Sequence, residues 1–348
     1  MTNVFVYEFV TGGGLLDAAD ASTLDKLAAE GAAMSSALVA DFAVVPGVRV
    51  SWLRDARLSL ALPGEERVVA SHDEHHAAFR ALSAEADWTV VIAPELEGHL
   101  LERCQAVLDA GGRLLGPSPE FVALASDKHA TAEALRAAGV PAPRGVRLAP
   151  RELLPRDFPY PAVWKPIDGA GSTGVRFVAS GERGAGSEQC EASLAVLGRL
   201  EQFCPGLPAS VAFLCGPGVV CPLVPCEQRL STDGRFSYFG GSLPLAPELA
   251  DRAVGLGRRA LAALPVALGY VGIDLVLGDD PDGGDDYVIE VNPRLTTSYV
   301  GLRAASQSNL AAALLASAAG EAVKIEFAAT PLEFAANGKT APSRSGSA

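Results

Sequence analysis

Cysteine, basic charge and long apolar runs are all scarce in this chain. The six cysteines are Cys104, Cys190, Cys204, Cys215, Cys221 and Cys226, and none forms a C-x-x-C pair. They read as reduced, mostly buried thiols, and Cys221 and Cys226 lack the spacing and partners of a metal site. Lysine and arginine total 28 against 41 acidic residues, a formal net charge of −13. Such a chain repels phosphate backbones and anionic lipid, which argues against nucleic acid or a membrane surface as partner. It does not forbid a nucleotide, which needs only local positive groups and metal. The longest uncharged stretch, Gln202 to Cys226, contains Pro205, Pro208, Pro217, Pro222 and Pro225, unsuited to a membrane helix. The opening Met1-Thr2-Asn3-Val4-Phe5 has neither a basic n-region nor an apolar h-region, so a cytoplasmic location is expected.

What is present is material for packing. The 348 residues are 49% hydrophobic, enough for one large core or two to three small ones. Strands are expected at Asn3–Phe9, Val48–Leu53, Trp88–Ala93 and Arg113–Leu115. Helices are expected between them, around Ser22–Phe42, Asp73–Glu85 and Leu96–Ala110. That alternation predicts a parallel, helix-covered sheet ending near Pro117-Ser118-Pro119. A helix over Asp127–Ala138 follows, closed by Gly139 and Pro141. The remainder is strand-rich with helices at Pro247–Leu264 and Ser306–Gly320, a mixed region with more antiparallel pairing. The predicted class is therefore α/β and α+β. Asn337 to Ala348 is Ser/Gly/Pro/Lys-rich with no apolar pattern, and residues 331–348 read as a flexible tail.

Four segments carry chemistry. Ile289-Glu290-Val291-Asn292-Pro293-Arg294 ends one strand, and Asp274 lies on the preceding one. Asp274, Glu290 and Asn292 together offer hard oxygen ligands suited to magnesium. Arg294 stands one step away, where it would hold a phosphate or a developing acyl phosphate. The plainer reading is a sheet-edge carboxylate and a turn Asn before Pro, but apolar and polar residues alternate cleanly here. In the second segment Lys165 closes a strand and is followed by Gly169-Ala170-Gly171-Ser172-Thr173-Gly174. Backbone N–H groups of such a loop can wrap phosphate oxygens. It is not a Walker loop, having no G-K-[ST] and leading into a strand. Lys128, at a helix start, and the run Glu201-Gln202-Phe203-Cys204-Pro205-Gly206 complete the set. Each of these last two is weak alone.

In this order, from about Ser118 to Ala318, the four segments resemble the ATP-grasp superfamily. The resemblance implies ATP held between two α+β lobes, an ATP-grasp fold preceded by an N-terminal Rossmann-like (pre-ATP-grasp) domain. The implied divisions are 1–118, a small lobe with its lid at 119–205, and a C-terminal lobe at 206–330. It implies that Lys128 and Lys165 contact phosphates under the Gly169–Gly174 loop. Glu201 with the backbone of Phe203 and Cys204 would hold adenine. Asp274, Glu290 and Asn292 would bind Mg2+, or Mn2+ in its place. Many members carry a ribose-binding glutamate after the hinge glycine, whereas this chain has Gly206-Leu207-Pro208-Ala209-Ser210.

A narrower likeness lies in Val6-Tyr7-Glu8-Phe9-Val10-Thr11-Gly12-Gly13-Gly14, Ile92-Ala93-Pro94-Glu95 and Asn292 to Gly301. These resemble the tyramine–glutamate ligases of methanofuran and methylofuran biosynthesis. They imply glutamate and an aromatic amine as partners, with self-association left open. Substrate candidates are Glu8, Gly12, Gly13, Glu95, Arg229, Thr296 and Thr297. Glu8 and Glu95 fall at carboxyl ends of strands, where open α/β sheets bind ligands, and either would suit an ammonium. Arg229 would suit a substrate carboxylate, and Tyr299 or Phe9 would flank an aromatic ring. His72-Asp73-Glu74-His75-His76 looks like a metal cluster but reads better as an Asp-capped, exposed helix start.

Overall fold

The computed structural model describes residues 1–17, 21–169, 171–180 and 195–343. Ala170 of the expected loop, Cys190 and residues 344–348 of the expected tail lie outside them.

The first sheet has strand order β3-β2-β1-β4, with β1 Thr2–Glu8, β2 Val48–Asp55, β3 Glu65–Val69 and β4 Trp88–Ile92, all parallel. Alternate residues serve opposite faces. Val4, Val6, Val50, Trp52, Val90 and Ile92 enter one core, while Phe5, Tyr7, Leu53 and Val91 enter another. A sheet buried on both faces reads as a nearly continuous apolar run, and these strands do. Helix α1 (Ala21–Ala43) covers one face; α2 (His72–Glu85) and α3 (His99–Asp109) cover the other. The expected Arg113–Leu115 strand is a single parallel bridge, Leu114 to Thr89.

Pro119–Ser126 forms helix α4, capped by the Ser118 hydroxyl with proline in its first turn. Helix α5 (Lys128–Ala137) starts directly after it on an Asp127 cap. A four-stranded antiparallel sheet follows, with β5 Gly145–Leu148, β6 Ala162–Pro166, β7 Arg176–Val178 and β8 Gly198–Gln202 in the order β5-β8-β6-β7.

The third sheet runs β14-β13-β9-β11-β12-β15-β16, with β10 paired to β9. Its strands are β9 Leu207–Gly216, β10 Val219–Pro222, β11 Cys226–Leu230, β12 Tyr238–Leu243, β13 Gly269–Leu277, β14 Tyr287–Asn292, β15 Leu332–Ala335 and β16 Thr340–Pro342. The antiparallel pairing expected of this half is observed. One face packs on α6 (Pro247–Ala262). The other shares a core with α1, α7 (Ser298–Ala305) and α8 (Leu310–Ala318). Asp41 of α1 ties these together: it accepts from Tyr299 Oη at 2.7 Å and Arg303 Nε at 2.6 Å, and its carbonyl accepts from Asn309 Nδ2 at 2.9 Å.

The tail expectation is corrected here. Residues 332–342 form a hairpin, with β15 paired to β12, and Phe334 is 1% exposed. A Cβ on Gly301 would fall 2.3 Å from the Phe334 ring, so that helix glycine is a seat for the phenyl group. Apolar periodicity is too short here to announce a strand; one aromatic anchors it.

Candidate active site

β13 and β14 supply the acidic centre. Their antiparallel register sets Asp274 opposite Glu290 and Gly272 opposite Asn292. Asn292 Nδ2 donates to Asp274 Oδ2 at 3.0 Å, and Gln228 Nε2 donates to Asp274 Oδ1 at 2.8 Å. Burial, and then the facing Glu290, push Asp274 up to about 6. Burial also opposes ionisation of Glu290, but Lys128, then Lys165, overcome it and hold the carboxyl below its ordinary value.

Three cations converge on this edge. Lys128, at the start of α5, is 2.9 Å from Glu290 Oε1 and donates to the Gly169 carbonyl at 2.8 Å. Lys165, at the end of β6, is 4% exposed; its ammonium lies 2.6 Å from Glu201 Oε1 and 3.3 Å from the Ile289 carbonyl. Arg294 follows β14 and faces Glu95, with Nη2 donating to Oε2 at 3.0 Å and Nε 3.0 Å from Oε1. The chain has only five lysines, and two of them stand here.

This donor set fits a hard divalent cation. Asp274 and Glu290 are like charges held opposite each other in a half-buried place, and Asn292 adds an amide beside them. Among the described residues no group of three His, Cys, Asp or Glu side chains is placed to hold a metal. An ion bound by two carboxylates would need oxygens from phosphate or water, the arrangement magnesium favours.

The loop after Lys165 has the expected small-residue backbone. Gly169, Gly171 and Gly174 lie at φ 132°, 67° and 79°, and Ser172 at 60°. Positive-φ positions interspersed along a turn let successive N–H groups point toward one anion. Thr173 belongs to the same turn.

Other expectations change in detail. Glu201 is buried and engaged by Lys165 and by Arg199 Nε at 2.9 Å, so its carboxylate orders two cations. Phe203 donates its N–H to Pro161 at 3.0 Å, and its ring lies between Phe177 and Phe236. No partner for the Cys204 N–H is found among the described residues, and this group suits a base edge.

The substrate candidates separate. Glu8 is turned inward, accepting from Thr11 N and Oγ1, both at 2.7 Å, and from Val10 N at 3.1 Å. Gly12 and Gly13 belong to the same turn; Gly12 N donates to the Glu8 carbonyl at 2.8 Å, and Gly13 has φ 97°. Glu95 is 3% exposed and committed to Arg294, not open to an ammonium. Arg229 pairs with Glu333 at 2.7 Å and bonds the Phe334 carbonyl at 3.3 Å, so its fork serves the hairpin. Thr296 joins Tyr270 and Ser298 in a hydroxyl cluster at 2.8–3.2 Å, while Thr297 caps α7 without a side-chain bond. Neither aromatic candidate is free: Tyr299 is 1% exposed and bonds Asp41, and Phe9 stacks on His99 at 4.5 Å.

His75 is buried and bonded to Tyr7 Oη at 3.0 Å, and burial lowers it to about 4. The histidine run is a helix start, as expected, but its cap is Ser71 and not Asp73, and His75 is buried where an exposed start was expected. All five described cysteines are free thiols. No helix among the described residues is long and apolar enough to cross a membrane. Sequence reasoning missed Gln228, whose only signal is strand alternation, which sends it and Arg229 to opposite faces.

Comparison with known proteins agrees with this layout. A model of the ATP-grasp domain matches residues 125–298, and a model of the pre ATP-grasp 3 domain matches residues 48–122. The tyramine–L-glutamate ligase of Methanocaldococcus jannaschii is 26% identical over 244 residues, 70% of this chain and 67% of that protein. That of Methanocaldococcus fervens is 25% identical over 251 residues, 72% of each. An ATP-grasp superfamily protein from Archaeoglobus fulgidus superposes with a TM-score of 0.70 at 23% identity, covering 96% of this chain and 92% of that one. An L-amino acid ligase from Bacillus licheniformis does so at 0.65 and 19%, covering 96% and 79%. The first of the two matched models takes in Lys128, Lys165, the glycine loop and the whole acidic centre. The chain belongs to the ATP-grasp family.

Proposed function

We propose that the protein is an ADP-forming carboxylate–amine ligase, and that its substrates are glutamate, through the γ-carboxylate, and tyramine or tyrosine. The observation that carries the ligase reading is the convergence of Lys128, Lys165 and Arg294 on the Asp274–Glu290 edge. Phosphoryl transfer asks for positioning and charge neutralisation more than for covalent chemistry, and such a site offers both.

A carboxylate oxygen would attack the γ-phosphorus; the bond from that phosphorus to the β-bridging oxygen breaks and ADP leaves. The amine nitrogen then attacks the acyl carbon, the carbon–oxygen bond to phosphate breaks, and the nitrogen gives up its proton. Lys128 and Lys165 would hold the phosphates, and Arg294 the acyl phosphate. The Gly169–Gly174 loop would exclude water, and the Cys204 N–H would take an adenine edge. Magnesium held by Asp274, Glu290 and Asn292 would supply charge neutralisation when bound.

The substrate pair rests on the two relatives carrying the tyramine–L-glutamate ligase name, and on the resemblance noted above for the Glu8–Gly14, Glu95 and Thr296–Gly301 segments. It would place the enzyme in methylofuran-type cofactor synthesis. The likeness to an L-amino acid ligase favours, as second reading, a different amino acid or amine. An ADP-release screen of glutamate against a panel of amines, with the product mass, decides between them. A γ-glutamyl amide of tyramine or tyrosine is expected. Turnover only with another pair leaves the general ligase reading; nucleotide binding without turnover on any pair makes this a binding module.

A further inference from the structure

The turn after β4 reaches the site by two routes. Its first residue, Glu95, accepts from Arg294 Nη2 through Oε2 at 3.0 Å and sets Oε1 3.0 Å from Nε as an ion pair without hydrogen-bond geometry; Glu95 is buried and Arg294 largely so. Its third residue, Glu97, donates its N–H to Asp168 Oδ2 at 2.9 Å, and Asp168 immediately precedes the glycine loop. Glu97 holds φ 54° and ψ 20°, a left-handed conformation that a side chain adopts at a cost, and Gly98 follows at φ 76°. The turn is fixed from below: Gly98 N donates to the Glu95 carbonyl at 3.2 Å, Leu100 N to Pro94 at 3.0 Å, and His99 stacks on Phe9. A strained turn anchored to a rigid sheet, with both of its outward groups spent on the nucleotide-binding lobes, is built to place something.

We propose that Glu95 is a positioning residue for Arg294, and that the Glu97 amide ties the same turn to the root of the glycine loop, so that the N-terminal domain sets both parts of the site together. A guanidinium on a long side chain has many rotamers; a carboxylate on a fixed turn, hydrogen-bonded to one guanidinium nitrogen and ion-paired with a second, selects one. Glu95 thus serves the reaction without touching either substrate. The inference rests on the ligase reading for its kinetic arm only.

The test uses the full chain with Glu95→Gln, Arg294→Lys, the double variant and Asp168→Ala. Kinetics are measured on whichever substrate pair the wild type turns over. Glu95→Gln should lower kcat on the order of 10²-fold, because misplacement of a positioned group costs about that much. The KM for the amine should move less than about threefold, and the double variant should be no worse than Arg294→Lys. A large rise in amine KM with kcat kept, or losses that multiply in the double variant, would mean that Glu95 binds the amine itself and would overturn the proposal. Should Glu95→Gln not fold, Glu95→Asp takes its place, with a smaller kcat loss expected. Hydrogen exchange gives an arm independent of turnover. It should quicken over residues 293–297 in Glu95→Gln and over 171–178 in Asp168→Ala. Unchanged exchange in both overturns the clasp even if no substrate pair is ever found, whereas a wild type without turnover counts against the ligase reading alone.

Discussion

The Lys128 ammonium and the Glu290 carboxylate are paired at 2.9 Å across the two elements that would grip a nucleotide. In the proposed reading each would hold the place of the other's partner: a phosphate for the lysine, a metal ion for the carboxylate. Binding of a nucleotide with its cation would then part them. Glu290→Gln and Asn292→Ala should each lower turnover by on the order of 10²-fold or more, the scale for removing one preorganised electrostatic contact. Circular dichroism should stay that of the native fold. Near-normal ADP release from both folded variants would remove Glu290 and Asn292 from the metal site.

Asp274 gives a prediction with a sign. Its carboxyl is raised to about 6 from 3.8, by burial and then by Glu290, so the native state holds this proton more tightly than the unfolded chain does. Stability contributed by that protonation is full below the unfolded value and is lost as pH rises through about 6. Asp274→Asn should consequently raise Tm at pH 8 in the absence of divalent ions, and the gain should vanish near pH 3. The same variant should lose turnover at every pH. Thermal melts at the two pH values check the sign; a lower Tm at pH 8 would contradict the like-charge account.

The glycine loop is expected to tighten on nucleotide. Hydrogen exchange over residues 171–178 should slow when a non-hydrolysable ATP analogue and magnesium are added. Exchange that stays the same at saturation would argue against a closing lid.

Tyr299 makes a contrasting case. Its hydroxyl donates to Asp41 at 2.7 Å from a buried position between domains. Tyr299→Phe should cost about 1–3 kcal/mol, the penalty for leaving a buried acceptor short of a bond. KM for either substrate should not move. A shifted amine KM with unchanged denaturation midpoint would return this ring to the substrate pocket.

How much of this could be read beforehand follows the range of each interaction. The Ile289–Arg294 run announces itself because period-two alternation places glutamate and asparagine on one face of a strand, and the Lys165 strand because a lysine closes an apolar run just before a glycine loop. Strand Glu65–Val69 does not, since it is an exposed edge of charged residues. Helix Pro119–Ser126 hides behind a Pro-Ser-Pro run that looks like a linker, although Ser118 and Pro119 together form a helix start. The Glu95–Arg294 clamp spans 199 positions and leaves no local trace. A glutamate at a strand end looks the same whether it awaits an ammonium or already holds a guanidinium. Arg229 misleads for the same reason, its partner Glu333 lying in a segment that composition marks as tail.

The phenyl ring of Phe334 and the bare Cα of Gly301 have a consequence for genetics. A Cβ at 301 would meet the ring at 2.3 Å, so the two positions are not independent letters. Gly301→Ala alone should be a loss-of-function allele with no mark at the active site, and second-site revertants should concentrate at 334. They should carry a smaller apolar residue there, such as leucine. The hairpin that presents Phe334 would then register in a suppressor screen as part of the same hereditary unit as the helix that begins at Ser298.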